Sequence, residues 1–140
     1  MSSLRHVVFR VASERYALPL EAVREVVLPQ PPFSRVPRTS EAVHGVMNLR
    51  GRVVAVVDLA ALVGLPSQPL LEGAGQVLIL DHGKRALGLL IAGVLGVWDL
   101  AVQAESRGLV RGVGSVPAGA VTMLGAEPLF EAAVALFGER

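Results

Sequence analysis

Residues 43–59 read Val-His-Gly-Val-Met-Asn-Leu-Arg-Gly-Arg-Val-Val-Ala-Val-Val-Asp-Leu, and this stretch decides the fold. Two runs of β-forming residues flank a tight turn at Arg50-Gly51-Arg52, which predicts a hairpin. Asp58 closes the second run and is placed to cap a short helix through Val63, with Gly64 at its C-terminal side. The polar groups at the turn are one amide and two guanidiniums, which suit a protein-binding surface better than an active site.

The same stretch recurs later in the chain. A shift of 67 residues places Val43–Val63 on Val110–Phe130 without a gap and with five identities. Weaker correspondences link Ala17–Leu20 with Ala86–Leu89, Val23 with Val94, and Val26 with Val97. We therefore expect a single domain over residues 1–140 made of two related halves, a first barrel over 1–75 and a second barrel with a C-terminal helix over 76–140.

The composition narrows the class of protein. The chain has 140 residues, is 52% hydrophobic and only 4% aromatic, and its net charge of +1 argues against nucleic-acid binding. It has no cysteine, which excludes disulfides, thiolate nucleophiles and cysteine-based metal sites. The N-terminus has no apolar signal region, and the longest apolar run, Ala86–Trp98, is shorter than the roughly 20 residues that a membrane span needs. We therefore expect a cytoplasmic protein without direct membrane insertion.

Periodicity and turn residues predict a mostly β architecture. Glu21–Val26 has Val23 and Val26 at i, i+3, which fits one or two helical turns, and Pro128–Phe137 predicts an amphipathic helix. Leu28–Arg38 holds four prolines and is interpreted as a stiff loop rather than a P-x-x-P ligand. Beyond the hairpin of residues 43–59, the predicted strands are His6–Val11, Tyr16–Leu20, Gln76–Leu80, Arg85–Ile91, Gly96–Val102, Gly108–Val113 and Ala120–Leu124. Short strands at this spacing favour small barrels.

The sequence offers little chemistry for catalysis. His6, His44 and His82 fall on different elements without the spacing of metal ligands. Residues 112–115 lack the first glycine of a nucleophile elbow, and no complete dinucleotide or phosphate-binding loop occurs. A Ser-His-Asp site built from distant residues stays open at this level, but we expect no enzyme, cofactor or metal site. Protein binding is the class of function that remains, and we expect it to occur through exposed valines in a groove. For any single valine, a core position is the simpler interpretation, and the repeated placement in both halves is what favours a groove.

Residues 43–59 resemble the signature of the CheW-like domain, which is roughly x-G-V-x-N-L-R-G-x-x-x-P-V-V-D-L. Further similar segments are Val8–Val11, Tyr16–Leu20, Val23–Val26 and Leu87–Ile91. The chain is identified as a member of this family over nearly its whole length. The resemblance implies two SH3-like five-stranded β-barrels with short helices, a C-terminal helix and a hydrophobic groove between the barrels. It implies no catalysis.

The resemblance also implies a function. CheW-like proteins are adaptors that couple the cytoplasmic tips of chemoreceptors (methyl-accepting proteins) to the regulatory domain of the histidine kinase CheA, in rings with other CheW-like domains at membrane-associated arrays. By position, kinase contact is expected at Gly45 and Val46. Receptor contact is expected at Val23, Glu25, Val26, Asn48, Arg50, Gly51 and Val97. The alternative is a divergent CheW-like scaffold in a motility, polarity or other chemosensory-like pathway with a different partner.

Several positions depart from the family pattern. Ala55 stands where the family usually has proline, and Ile91–Val94 lacks a common acidic pair. In the last repeat, Pro117–Gly119 and Leu124-Gly125 replace frequent D-G turns and an L-D or L-N step. Most of these departures fall in the second half, so we expect the ring contact made through the second barrel to be altered or absent.

Overall fold

The computed structural model describes residues 3–29, 33, 41–66, 75–82, 85–101 and 108–137. Over these residues it contains ten strands and two α-helices, with a 3-10 turn at Leu20–Ala22 and another at Ala135–Phe137. The strands are β1 Ser3–Val11, β2 Glu14–Pro19, β3 Val23–Val27, β4 Val43–Leu49, β5 Arg52–Asp58, β6 Gln76–His82, β7 Arg85–Ile91, β8 Gly93–Ala101, β9 Val110–Val116 and β10 Gly119–Leu124. The helices are α1 Leu59–Leu62 and α2 Ala126–Val134.

The strands form two five-stranded sheets. Sheet A has the order β8-β1-β2-β10-β9, and sheet B has the order β3-β6-β7-β5-β4. The expected mostly β fold with two five-stranded units and a C-terminal helix is confirmed. The barrels are not closed, however, because within the described residues the two outer strands of each sheet do not pair through their backbones.

The internal repeat is visible in the strand pairing. A shift of 67 residues places β4, β5 and α1 on β9, β10 and α2. Gly45 and Gly112 correspond under this shift, and both have positive φ, at 136° and 156°. Each lies next to a β-bulge, because the register slips by one residue beside each of these glycines. The repeat is therefore one of backbone geometry as well as sequence.

The first three strands of each repeat follow a different offset. Tyr16 lies beside Thr122 in sheet A, and Leu87 lies beside Ala55 in sheet B. Since Ala55 and Thr122 correspond, Tyr16 corresponds to Leu87, which is an offset of 71 residues. The correspondence expected between residues 17–20 and 86–89 is thus two residues out of register. The pairs Val23 with Val94 and Val26 with Val97 follow the offset of 71 and hold.

The two barrels do not coincide with the two halves of the chain. Sheet A combines β1 and β2 with β8, β9 and β10, whereas sheet B combines β3, β4 and β5 with β6 and β7. The predicted division into barrels at residue 75 is therefore wrong. The chain passes from sheet A to sheet B at the 3-10 turn Leu20–Ala22 and returns between β7 and β8. Each half supplies two strands to one sheet and three to the other, which is why neither half buries its apolar surface alone.

The apolar side chains fill three cores. The central core lies between the sheets, where Phe9 and Leu18 of sheet A and Leu78 and Leu89 of sheet B are buried in one cluster. Helix α2 seals this core with Leu129, Phe130 and Ala133. The interior of sheet A is filled by Val8, Ala17, Leu100, Val116, Val121 and Met123, with Trp98 packed against them. The interior of sheet B is filled by Met47, Val54, Val56, Val77, Ile79 and Leu90.

The segment Glu21–Val26 is a 3-10 turn followed by a strand, so the helix predicted there is wrong. In β3 the register against β6 slips between Val23 and Glu25, which leaves one extra residue in the strand. Val23 therefore lies opposite Leu80 and Val26 opposite Leu78, both of which belong to the central core. A bulge brings residues i and i+3 of a strand to one face, and this spacing imitates a helix.

The helix ends follow the predicted chemistry in part. The Asp58 carboxylate accepts a hydrogen bond from the Ala60 amide at 3.1 Å, and Gly64 follows α1 with a φ of 81°, as predicted. Helix α2 begins at Ala126, two residues before the predicted start. Most of the proline-rich segment 28–38, including residues 30–32, lies outside the described residues.

Candidate functional site

The turn between β4 and β5 is a two-residue hairpin loop. Leu49 pairs with Arg52, so only Arg50 and Gly51 connect the strands. Both have positive φ, 51° and 87°, as a type I′ turn requires. The Asn48 side-chain oxygen accepts a hydrogen bond from the Gly51 amide at 2.7 Å and fixes the loop. The left-handed conformation costs a residue with a side chain about 1–2 kcal/mol. The loop therefore holds Arg50 in a defined position in spite of an unfavourable backbone conformation.

Arg50 reaches across the open seam of sheet B. It forms an ion pair and hydrogen bond with Glu25, although β3 and β4 are the two outer strands of that sheet. Arg24 continues the contacts, with its guanidinium 2.6 Å from an Asp81 carboxylate oxygen and 3.9 Å from a Glu25 carboxylate oxygen. The hydrogen bond that Arg24 donates to Asp81 and the negative charge of Asp81 raise the pKa of Arg24. We call Arg24, Glu25, Arg50 and Asp81 the polar seam.

Two valines extend the central core to the surface. Val26 on β3 is 39% exposed and Val97 on β8 is 45% exposed. Val97 lies opposite Val7, as Val26 lies opposite Leu78, and both of these partners are buried in the central core. We call Val26 and Val97 the valine pair. Each of the two therefore lies across from a central-core residue of its own sheet, and the two positions are related by the internal repeat.

Val23 lies deeper than the valine pair. It is partly buried and packs against the central core, as does its counterpart Val94. A smaller part of the Val23 side chain is therefore accessible to a partner than in the valine pair.

The residues expected at the kinase contact lie on β4. Gly45 is buried at the bulge and has no side chain to offer, so it can act only by shaping the strand. Val46 is half-buried and lies opposite Ala55. Beside them Val53 is 72% exposed, a position that the sequence did not single out. Alternation of polar and apolar residues along the strand is the sequence signal that could have indicated the exposure of Val53. This signal is missing in β5 because nearly all of its residues are apolar.

The described residues hold no other reactive cluster. Among them, no three His, Asp or Glu side chains are placed to hold a metal ion. His6 is buried in β1 and its Nδ1 lies 2.8 Å from the Leu4 carbonyl oxygen, while His44 lies at the bulge of β4 in the other sheet. No helix within the described ranges is long and apolar enough to cross a membrane. The arrangement can bind a protein surface through charge and apolar contact.

Comparison with known proteins points to one family. The profile of the CheW-like domain matches residues 5–133. Protein PilI of Pseudomonas aeruginosa is 31% identical over 101 residues, which are 72% of this chain and 56% of that protein. A probable chemotaxis protein CheW of Rhizobium etli is 28% identical over 136 residues, covering 89% of this chain and 85% of that protein. The chemotaxis protein CheW of Helicobacter pylori is 32% identical over 88 residues, 63% of this chain and 52% of that protein.

A solved structure shares the fold. The crystal structure of the scaffolding protein TtCheW from Thermoanaerobacter tengcongensis matches with a TM-score of 0.73 at 23% identity and covers 89% of each chain. At this identity the likeness shows the fold alone. The match to the PilI and Helicobacter pylori proteins spans only about half the length of each.

Proposed function

Because this chain belongs to the CheW-like domain family, we propose that it is a non-catalytic cytoplasmic scaffold that couples chemoreceptor tips to the regulatory domain of a CheA-type histidine kinase in chemotaxis-type signalling. The observation that carries the proposal is the ion pair between Arg50 and Glu25, since it brings the two charged residues expected at a receptor contact together. Both lie on sheet B, whose outer strand β3 also carries the exposed Val26.

The receptor contact follows from the chemistry of this surface. The tip of a chemoreceptor is a helical hairpin, and an amphipathic helix binds by laying its apolar face on an apolar surface. The valine pair supplies exposed apolar side chains, each across from a buried residue of the central core. Arg50 at the polar seam holds Glu25 through one guanidinium nitrogen, and its remaining N–H donors can bind a carboxylate of the helix. Asn48 and Gly51 contribute by fixing the loop that carries Arg50.

The kinase contact is assigned to β4. Gly45 lets the strand bulge, and Val46 with the adjacent Val53 presents apolar side chains on the face of β4 and β5. A regulatory domain of the same fold can pack against this face without competing for the polar seam. The chain would in this way join receptor and kinase within rings that include other CheW-like domains.

Isothermal titration calorimetry tests both contacts. The purified chain is titrated with the kinase regulatory domain and, separately, with a receptor tip fragment from the same organism. Arg50→Ala and Val26→Asp should weaken receptor binding at least about tenfold while kinase binding stays unchanged. Val23→Asp places a charge against the core, so its result counts only when circular dichroism shows a folded protein. Arg5→Ala removes an equally exposed arginine of sheet A and serves as the matched control.

The outcomes separate the two contacts. Unchanged receptor binding by Arg50→Ala and Val26→Asp would contradict the receptor assignment. Unchanged kinase binding by Val46→Asp would contradict the assignment of β4.

A second candidate keeps the scaffold role and changes the partners. It is favoured by an asymmetry between the sheets, since the positions that correspond to Glu25 and Arg50 in sheet A are Gly96 and Pro117. The similarity to PilI, a family relative with a different name, also agrees with it. In this case the chain serves a motility, polarity or other chemosensory-like pathway. A folded protein that binds neither the CheA-type domain nor the chemoreceptor fragment would support this candidate over the first.

A further inference from the structure

A cleft of about 450 Å³ opens between the start of β5, the start of β7 and the C-terminal helix. Its apolar lining includes Val53 of β5, Val134 of α2 and Phe137, and it is also lined by Arg52 and Arg85, which we call the rim arginines. We call it the helix cleft. It lies apart from the polar seam and the valine pair, since it shares no residue with either.

The helix cleft has apolar lining residues that are open to solvent. Val53 is 72% exposed and Val134 is 44% exposed, although each adjoins a buried residue of the same element. Phe130 and Leu87, which also line the cleft, are buried in the central core. The cleft is therefore the place where the central core reaches the surface beside α2 without an apolar cover among the described residues.

The rim of the helix cleft carries positive charge that the described residues do not neutralise. Arg85 lies over the Phe130 ring, with its guanidinium carbon 5.3 Å from the ring centroid. Neither Arg52 nor Arg85 has a carboxylate within 4.0 Å among the described residues. By contrast, Arg5, Arg24 and Arg50 are all paired with carboxylates. Within the described part of the chain, the two rim arginines thus have no acidic partner, and their charge is complementary to an acidic ligand.

The strand pairing indicates which backbone can enter. In sheet B, β5 lies between β7 and β4, and β7 lies between β6 and β5. The two strands pair with each other from Ala55 and Leu87 onward, so only residues 52–54 of β5 and 85–86 of β7 lack this pairing at the cleft. These short segments offer an extended peptide too few backbone groups to form a further strand. A helix satisfies its own backbone and needs only side-chain contacts.

We propose that the helix cleft binds an acidic amphipathic helix of a protein partner. An apolar side chain of that helix enters between Val53 and Val134. Carboxylates one turn away on either side of it pair with Arg52 and Arg85, because residues three or four apart lie on the same helix face. The helix cleft shares Val53 with the face proposed above for the kinase and shares no residue with the proposed receptor contact, and the inference does not rest on either contact.

A defined peptide tests the charge and the shape of the cleft. The probe is a helical 18-residue peptide with a leucine stripe flanked by glutamates, and the matched peptide has glutamine at every glutamate position. Both are titrated into the isotope-labelled full chain and followed by amide chemical shifts. The glutamate peptide should bind at least about tenfold more tightly than the glutamine peptide, with shifts centred on Val53, Ala55 and Val134.

Variants of the full chain complete the test. Arg52→Gln with Arg85→Gln should abolish the difference between the two peptides, whereas Arg5→Gln should preserve it. Val53→Ser should weaken both peptides, and its exposed position should leave the fold intact. Equal affinity for the two peptides, or shifts centred on the valine pair, would overturn the proposal. Arg50→Ala should leave peptide binding unchanged, so this result is distinguishable from a failure of the receptor assignment.

Discussion

Glu25 and Arg50 lie at the two outer strands of the same five-stranded sheet, strands that do not pair with each other in the described part of the chain, and their side chains form an ion pair across the gap. Glu25 is on the edge strand β3, and Arg50 is in the turn that follows the other edge strand, β4. Sheet A has Gly96 and Pro117 at the corresponding positions. One of the two seams is therefore bridged by opposite charges, and the repeat does not reproduce this contact in the other.

The ion pair between Glu25 and Arg50 should contribute little to stability. A double-mutant cycle with Glu25→Gln and Arg50→Gln is expected to give a coupling free energy below about 1 kcal/mol, because Arg50 is largely exposed. Urea unfolding followed by circular dichroism measures it, and added salt should reduce it further. A coupling of several kcal/mol that salt does not change would show that the seam is a structural clasp rather than a binding surface.

The bulge glycine Gly45 should be intolerant of a side chain. Its φ of 136° lies in a region that residues with a Cβ rarely adopt, so Gly45→Ala should lower the free energy of unfolding by about 1–2 kcal/mol. Gly112→Ala should behave alike, since that glycine is the repeat counterpart with a φ of 156°. Chemical denaturation measures both variants.

Gly93 offers the matched control for this prediction. It begins β8 without a positive φ, and a Cβ added there would make an ordinary 3.7 Å contact with the Gln76 side chain. Gly93→Ala should therefore change the free energy of unfolding by less than about 0.5 kcal/mol. Equal losses in all three variants would mean that local backbone strain does not explain the bulge glycines.

Much of the fold could be predicted because its signals are local. The Arg50-Gly51 turn and the Asp58 cap each depend on neighbouring residues, and both are found as expected. The helix predicted over Glu21–Val26 is wrong because a bulge at Arg24 gives Val23 and Val26 the spacing of residues on one helix face. A single extra residue in a strand leaves no composition signal, so periodicity alone cannot detect it.

The exchange of strands between the halves was hidden for a different reason. The repeat gives the order of elements within each half, but which sheet a strand joins depends on contacts far apart in the chain. β1 pairs with β8 and β3 pairs with β6, so strands of the first half form sheets with strands of the second half. At the candidate site, the turn signal in the sequence predicted the position of Arg50. It did not predict the ion pair with Glu25 across the seam. The exposed Val53 was hidden by the uniformly apolar sequence of β5.

The buried cap at α1 should depend on the shape of the Asp58 side chain. Asp58→Ala removes the acceptor for the Ala60 amide and should lower the free energy of unfolding by about 1–2 kcal/mol. Asp58→Asn keeps an oxygen in the same place and should lose less. Urea denaturation compares the two, and equal losses for alanine and asparagine would show that the charge of Asp58, rather than its capping oxygen, supports the fold.

Tyr16 should make the protein sensitive to alkaline pH. Burial, with a smaller effect from the nearby negative charge of Glu14, raises the pKa of Tyr16 above its ordinary value of 10.0. Below pH 10 the phenol is neutral in both the folded and the unfolded chain, so it has no effect on the pH dependence. Above pH 10 the unfolded chain ionises first, and the free energy of unfolding should fall as the pH rises through the folded-state pKa.

The variant Tyr16→Phe tests this prediction. It removes the phenol and keeps the ring, whose centroid lies 6.5 Å from that of Phe9, so the stability of the variant should fall less steeply between pH 9 and about 11. Because the chain has a single tyrosine, phenolate absorbance reports this group alone. Identical pH profiles for the two proteins would contradict a role for Tyr16 in the alkaline loss of stability.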